Sequence, residues 1–179
     1  MVSLADDGLS RRSFLRALTA AGAALLLPPG LLPADQAFAL PEATRAALEK
    51  SPLIYLSPLR SDGTESQCHG EVWYVRDGGE LLVVTDSNRW KALAVRRGLD
   101  RARIWVGDFG RWKKSDGRFE TGPTFLAKAR LDADESVIGA ALAAFGAKYP
   151  DEWGKWEPRF RKGLADGSRV LIRYRPSGA

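Results

Sequence analysis

Between Leu81 and Leu93 the chain changes its periodicity within four residues, and that change limits what it can fold into. Leu81-Leu82-Val83-Val84 is an apolar, β-branched run that reads as a buried strand. Thr85-Asp86-Ser87-Asn88 follows, four residue types that favour turns and helix N-caps. Arg89-Trp90-Lys91-Ala92-Leu93-Ala94-Val95-Arg96-Arg97 then reads as a helix, with Gly98 as its stop. A strand that ends in hydroxyls and enters a helix with Arg and Lys in its first turn is suited to an anion. Free backbone N–H groups and the helix dipole favour a phosphate there, and Arg89 and Lys91 would add charge-assisted hydrogen bonds. The plainer alternative is a capped helix carrying solvated cations.

The flanking text is dominated by short strands and tight turns. Pro41–Lys50 reads as a short helix, with Pro41 at its first position. Pro52–Ser57 is the first strand, and Asp62-Gly63 marks a hairpin. A second strand is expected from about Gln67 to Arg76, with Val72 and Tyr74 on one face and Glu71, Trp73 and Val75 on the other. Asp77-Gly78-Gly79 closes a second hairpin onto the run that begins at Leu81. Ala102–Asp108, Thr124–Leu131 and Ser168–Pro176 supply further strands. A loop rich in Gly, Lys and Asp runs from Phe109 to Arg118. Asp134 or Ser136 caps a helix through Val137–Ala147, and Trp153, Trp156 and Phe160 lie near helical spacing in a short helical or looped segment. The fold class expected is mainly β (α+β): a small antiparallel barrel with few helices, because a doubly wound parallel sheet would need alternating helices.

The chain has 179 residues, 45% of them apolar and 27% charged, enough for one domain with a core. Its net charge is +5, with Lys and Arg spread among Asp and Glu rather than massed in a basic run, which argues against a nucleic-acid partner. The single cysteine, Cys68, excludes an internal disulfide. One His and one Cys also make a zinc site of such ligands unexpected.

Ser10-Arg11-Arg12-Ser13-Phe14-Leu15-Arg16 resembles the twin-arginine export motif. The apolar segment Ala17–Leu27 is too short for a spanning helix and fits a signal h-region. Ala37-Phe38-Ala39 supplies a small-x-small cleavage pattern. The division expected is a signal peptide over residues 1–39, a short helix over 40–51 and the barrel over 52–179. The mature protein would be periplasmic or extracellular, with the export machinery as a partner and no stable membrane span. Arg11, Arg12 and Arg16 leave with Asp6, Asp7 and Asp35, so the basic character belongs to the mature chain.

Tyr55 to Val106 resembles the flavin-binding split barrel of the pyridoxamine 5'-phosphate oxidase-like and deazaflavin-dependent nitroreductase superfamily. In the oxidase branch the third strand runs into a Thr-Asn-x-x-Ser-Arg-Lys-type turn that holds the flavin phosphate. The matching text here is Thr85-Asp86-Ser87-Asn88-Arg89-Trp90-Lys91, with Trp90 separating the two cations. Arg60-Ser61-Asp62-Gly63 resembles a basic-Ser-Gly turn of the deazaflavin branch, and Val106-Gly107-Asp108 resembles the strand end that follows the helix there. The resemblance implies FMN, or alternatively a deazaflavin or no cofactor, with Thr85, Ser87, Arg89 and Lys91 as phosphate contacts. Trp73 would stack near the ring and His69 would face the substrate or shuttle a proton. The plainer readings are a core aromatic for Trp73 and an edge-strand histidine for His69. The resemblance names no catalytic residue and implies a homodimer. The functional readings are an oxidoreductase acting on a small molecule, a non-catalytic ligand-binding module, and a partner-binding domain using exposed Trp residues.

Overall fold

The computed structural model describes residues 39–178. The export segment read in residues 1–39 therefore lies, apart from Ala39, outside the described residues. Helix α1 (Glu42–Lys50) leads into β1 (Ile54–Pro58), β2 (Gly70–Val72), β3 (Val75–Asp77) and β4 (Glu80–Asp86). Then come α2 (Trp90–Arg96), β5 (Arg101–Val106), β6 (Thr124–Asp132), α3 (Glu135–Lys148), α4 (Pro150–Ala165) and β7 (Arg169–Ser177). The strands form one seven-stranded sheet in the order β2-β1-β5-β6-β7-β4-β3. Every pairing in it is antiparallel.

The two edges of this sheet, β2 and β3, are separated in sequence by only Trp73 and Tyr74. Consecutive Cα atoms are about 3.8 Å apart, so the edges must lie close together and the sheet must curl into a half-open barrel. The sequence reads a single strand from Gln67 to Arg76; the structure breaks it at these two residues. Tyr74 leaves the ladder, and a side chain replaces its missing strand partner. Its N–H donates to the Tyr149 hydroxyl at 3.0 Å, and that hydroxyl lies 2.8 Å from the Tyr74 carbonyl. The Tyr74 side chain turns into the barrel, where its hydroxyl donates to the Leu48 carbonyl at 2.6 Å. Removing the Tyr149 hydroxyl leaves two buried backbone groups unpaired, at about 1–3 kcal/mol for such a loss. Tyr149→Phe should therefore lower the urea midpoint of unfolding, and an unchanged midpoint would refute this role.

Alternation decides what fills the barrel. Ile54 and Leu56, Leu81 and Val83, Ala102 and Ile104, Phe125 and Ala127, and Ile172 and Tyr174 face one shared core. The opposite face of β4 and β7, with Leu82, Val84 and Leu171, is covered by α3 and α4. Tyr55 and Trp105, on the outer face of β1 and β5, are covered by Phe119 of the 109–121 segment. The Asp77-Gly78-Gly79 hairpin forms as expected: Gly78 and Gly79 have φ of +53° and +85°, which suits a two-residue turn matched to strand twist. Asp134 caps α3, accepting from the N–H groups of Ser136 and Val137. The Trp-rich segment is a 16-residue helix rather than a short one. Pro150 and two acids suit its first turn, Trp153, Trp156 and Phe160 pack inward, and Gly154 and Pro158 are exposed on its other side.

Candidate functional site

The tip of β4 and the start of α2 form one wall of a cleft of about 730 Å³. Its opposite wall is the Gln67–Val72 segment at the β2 edge, with Trp112 and Lys113 at the rim. Thr85, Arg89, Lys91 and His69 all line it, although His69 and Lys91 come from separate elements. Arg169, at the start of β7, joins them because its strand register sets it directly opposite Asp86.

Lys91 is the decisive group. Its ammonium enters the cleft beside Gly70, where a Cβ would come within 3.1 Å of Nζ. No hydrogen bond or ion pair holds it among the described residues. Burial pushes its pKa below the ordinary lysine value, and neighbouring Arg89 pushes it the same way. The carboxylates of Glu71 and Asp86 pull in the opposite direction without prevailing. Glu71 is already engaged, accepting the Trp112 N–H at 3.1 Å. A partly buried cation without a counter-ion is costly to the fold and is relieved by an anionic ligand.

The remaining expected residues divide. Arg89 sits at the N-cap of α2, mostly exposed, with Nε 3.5 Å from Asp86. Helix α2 has only seven residues and no side-chain cap, so the case for an anion rests on side chains rather than on a helix dipole. Thr85 is buried at the end of β4 and lines the cleft. Ser87 falls outside it: its N–H donates to the Ser168 carbonyl, and it lines a neighbouring groove. Trp73 also lies outside. It packs with Val75 against the helices, the core-aromatic alternative, and stacks on Tyr149 at 4.3 Å with rings 4° apart.

His69 has the carboxylate partner that the sequence did not reveal. Its Nε2 is 3.4 Å from Glu65, which also holds Arg103 at 2.8 Å. The imidazole lies 5.4 to 5.9 Å, centroid to centroid, from Phe119, Trp105 and Trp112. The loop bearing Trp112 is pinned by the buried Tyr55, whose hydroxyl donates to the Gly110 carbonyl at 2.6 Å and accepts the Phe109 N–H at 2.8 Å. The cleft therefore brings Lys91, Arg89 and Arg169 together with His69, Trp90 and Trp112, a combination suited to a flat ring bearing an anionic group. Among the described residues, no three His, Cys, Asp or Glu side chains converge as a metal site. No helix there is long and apolar enough to cross a membrane.

No known family profile matches the chain, and no curated protein matches it. Solved structures do resemble it. HutZ, a heme storage protein from Vibrio cholerae, is 12% identical with a TM-score of 0.52, over 76% of this chain and 89% of HutZ. The conserved hypothetical protein Rv2991 from Mycobacterium tuberculosis is 18% identical with a TM-score of 0.51, over 78% and 82% of the two chains. General Stress Protein 26 from Bacillus anthracis is 15% identical with a TM-score of 0.50, over 75% and 87%. At these identities the likeness shows a shared fold, the split β-barrel.

Proposed function

We propose that this protein is an exported oxidoreductase that binds a phosphorylated flavin, FMN or a deazaflavin, and acts on a small molecule. The observation that carries the reading is Lys91, a partly buried cation that no hydrogen bond or ion pair holds among the described residues, in a cleft also lined by Trp90 and Trp112. Lys91, Arg89 and Thr85 would hold the phosphate, and Trp112 and His69 would flank the ring. The flavin would supply hydride chemistry; the chain would orient the ring and limit water around it. Small molecules extracted from protein folded in its native host and identified by mass spectrometry test this directly. A flavin or deazaflavin is expected. HutZ is described as a heme storage protein, so a module that holds a ligand without transforming it is the second reading, and an extracted tetrapyrrole would favour it.

Export by the twin-arginine route belongs to the same proposal. Arg11→Lys combined with Arg12→Lys should leave the precursor inside the cell, as followed by fractionation and immunoblotting. Unchanged secretion would overturn it. The mature chain is expected to begin at Leu40.

A further inference from the structure

Away from the cleft, a cavity of about 380 Å³ opens where α1, the β3 edge and the end of α3 meet. Leu48, Val75, Ala144 and Ala147 give it apolar walls, and Lys148, the last residue of α3, lines it with an amine. Packing sets the place of that amine. Lys148 Nζ lies 3.3 Å from the centroid of the Tyr74 ring, and the ring is itself held by its hydroxyl on the Leu48 carbonyl. No hydrogen bond or ion pair holds Lys148 among the described residues. Glu49, the acid that lines the cavity, lies against Arg76 instead, at 3.7 Å. A half-buried amine thus has a cation for a neighbour and no counter-ion. The Tyr74 ring face attracts the ammonium form. Burial, and then the Arg76 guanidinium, oppose the charge and push the Lys148 pKa down to about 8. Desolvation and a nearby cation are the two influences that turn a lysine into a nucleophile.

We propose that Lys148 is an attachment site for a small aldehyde or ketone with an apolar body, held by the cavity walls while the amine forms an imine with it. The Nζ lone pair bonds to the carbonyl carbon, and the π pair of the carbonyl moves to its oxygen. Both amine protons pass to that oxygen, which leaves as water, and a C=N bond remains. No oxidant or reductant is consumed. The cavity shares no lining residue with the cleft, so this site stands independently of the flavin reading.

The test is labelling of the full-chain protein with hexanal at neutral pH, with cyanoborohydride to trap the imine and peptide mass spectrometry to locate it. Lys148 should be labelled at least about tenfold faster than the exposed Lys155, because far more of it is free amine. Its rate should saturate as hexanal is raised, because the cavity binds the aldehyde before the bond forms. Arg76→Gln should slow labelling of Lys148 by about threefold or more, because a like charge is lost. Arg76 is exposed, and an unchanged melting temperature verifies that the variant is folded. Labelling of Lys148 no faster than that of Lys155 overturns the inference. So does a rate that never saturates, which would mean a reactive amine without a ligand site, or a rate indifferent to Arg76→Gln.

Discussion

Lys91→Met should weaken FMN binding by about ten- to a hundredfold while leaving riboflavin binding unchanged. A hydrogen bond to a charged group contributes about 1.5–3 kcal/mol, and each 1.4 kcal/mol is about tenfold in affinity. Arg89 shares the phosphate role in the sequence reading, but in the structure it is largely exposed and already paired with Asp86. Lys91 has no such partner, so more of its interaction energy is available to a ligand. Methionine keeps the length and apolar stem while removing the charge. The fold gives a second, independent readout. Burial holds the Lys91 pKa below its ordinary value, meaning that the charged form is less favourable in the folded protein than in the unfolded chain. Removing it should leave the melting temperature the same or higher. Equal loss of FMN and riboflavin would mean that Lys91 acts on the ring or on the fold.

Arg173→Met should be the most damaging change in the sheet. Arg173 is buried on β7, with contacts of 2.6 Å to Asp132, 2.8 Å to Glu80 and 2.8 Å to Asp77. Taking away the cation strands the carboxylates of Glu80 and Asp132, which are also nearly buried. Breaking a buried pair in this way costs about 3–5 kcal/mol. Arg130 and Arg175 remain beside those carboxylates, which places the expectation near about 3 kcal/mol, or a fall in melting temperature of roughly 6–12 °C. The surface pair Arg161–Glu157 is the control, since Arg161→Met should change stability by under about half a kcal/mol. The network also sets an acid limit. Burial pushes the Asp132 carboxyl up, but the Asp134 N–H and the Arg173 guanidinium outweigh it and hold it below the usual range. A depressed carboxyl contributes stability above its unfolded pKa of about 3.9, and that contribution is lost as pH falls below it. Parent stability should fall below about pH 4, and less steeply in Arg173→Met. A flat acid profile in the parent would contradict this.

Much of the barrel could be read locally because its hairpins are written in neighbouring residues. Asp62-Gly63 and Asp77-Gly78-Gly79 mark turns, and alternation marks β6. The break at Trp73-Tyr74 left no local trace, since alternation runs through Glu71, Trp73 and Val75 without interruption. There the Tyr74 backbone pairs instead with the Tyr149 hydroxyl, which comes from the far end of α3. Helix α4 was hidden for a different reason: Gly154 and Pro158 lower local helix propensity, while the Trp153, Trp156 and Phe160 stripe gains its stability from burial against the sheet. The candidate site shows the same division. Thr85, Arg89 and Lys91 follow one another across a strand end and were visible together. Arg169 and Glu65 enter the site neighbourhood through strand register and hairpin packing, which spacing in the sequence does not encode. Ser87 and Trp73 were read from adjacency and chemistry, and local backbone direction carries both away from the cleft.

Fluorescence titration of the parent protein with FMN and riboflavin tests the central claim most directly. FMN should bind, and riboflavin should bind at least about tenfold more weakly, because only FMN carries the phosphate that Lys91 and Arg89 would hold. Equal affinity for the two ligands, or no binding of either, would contradict the account.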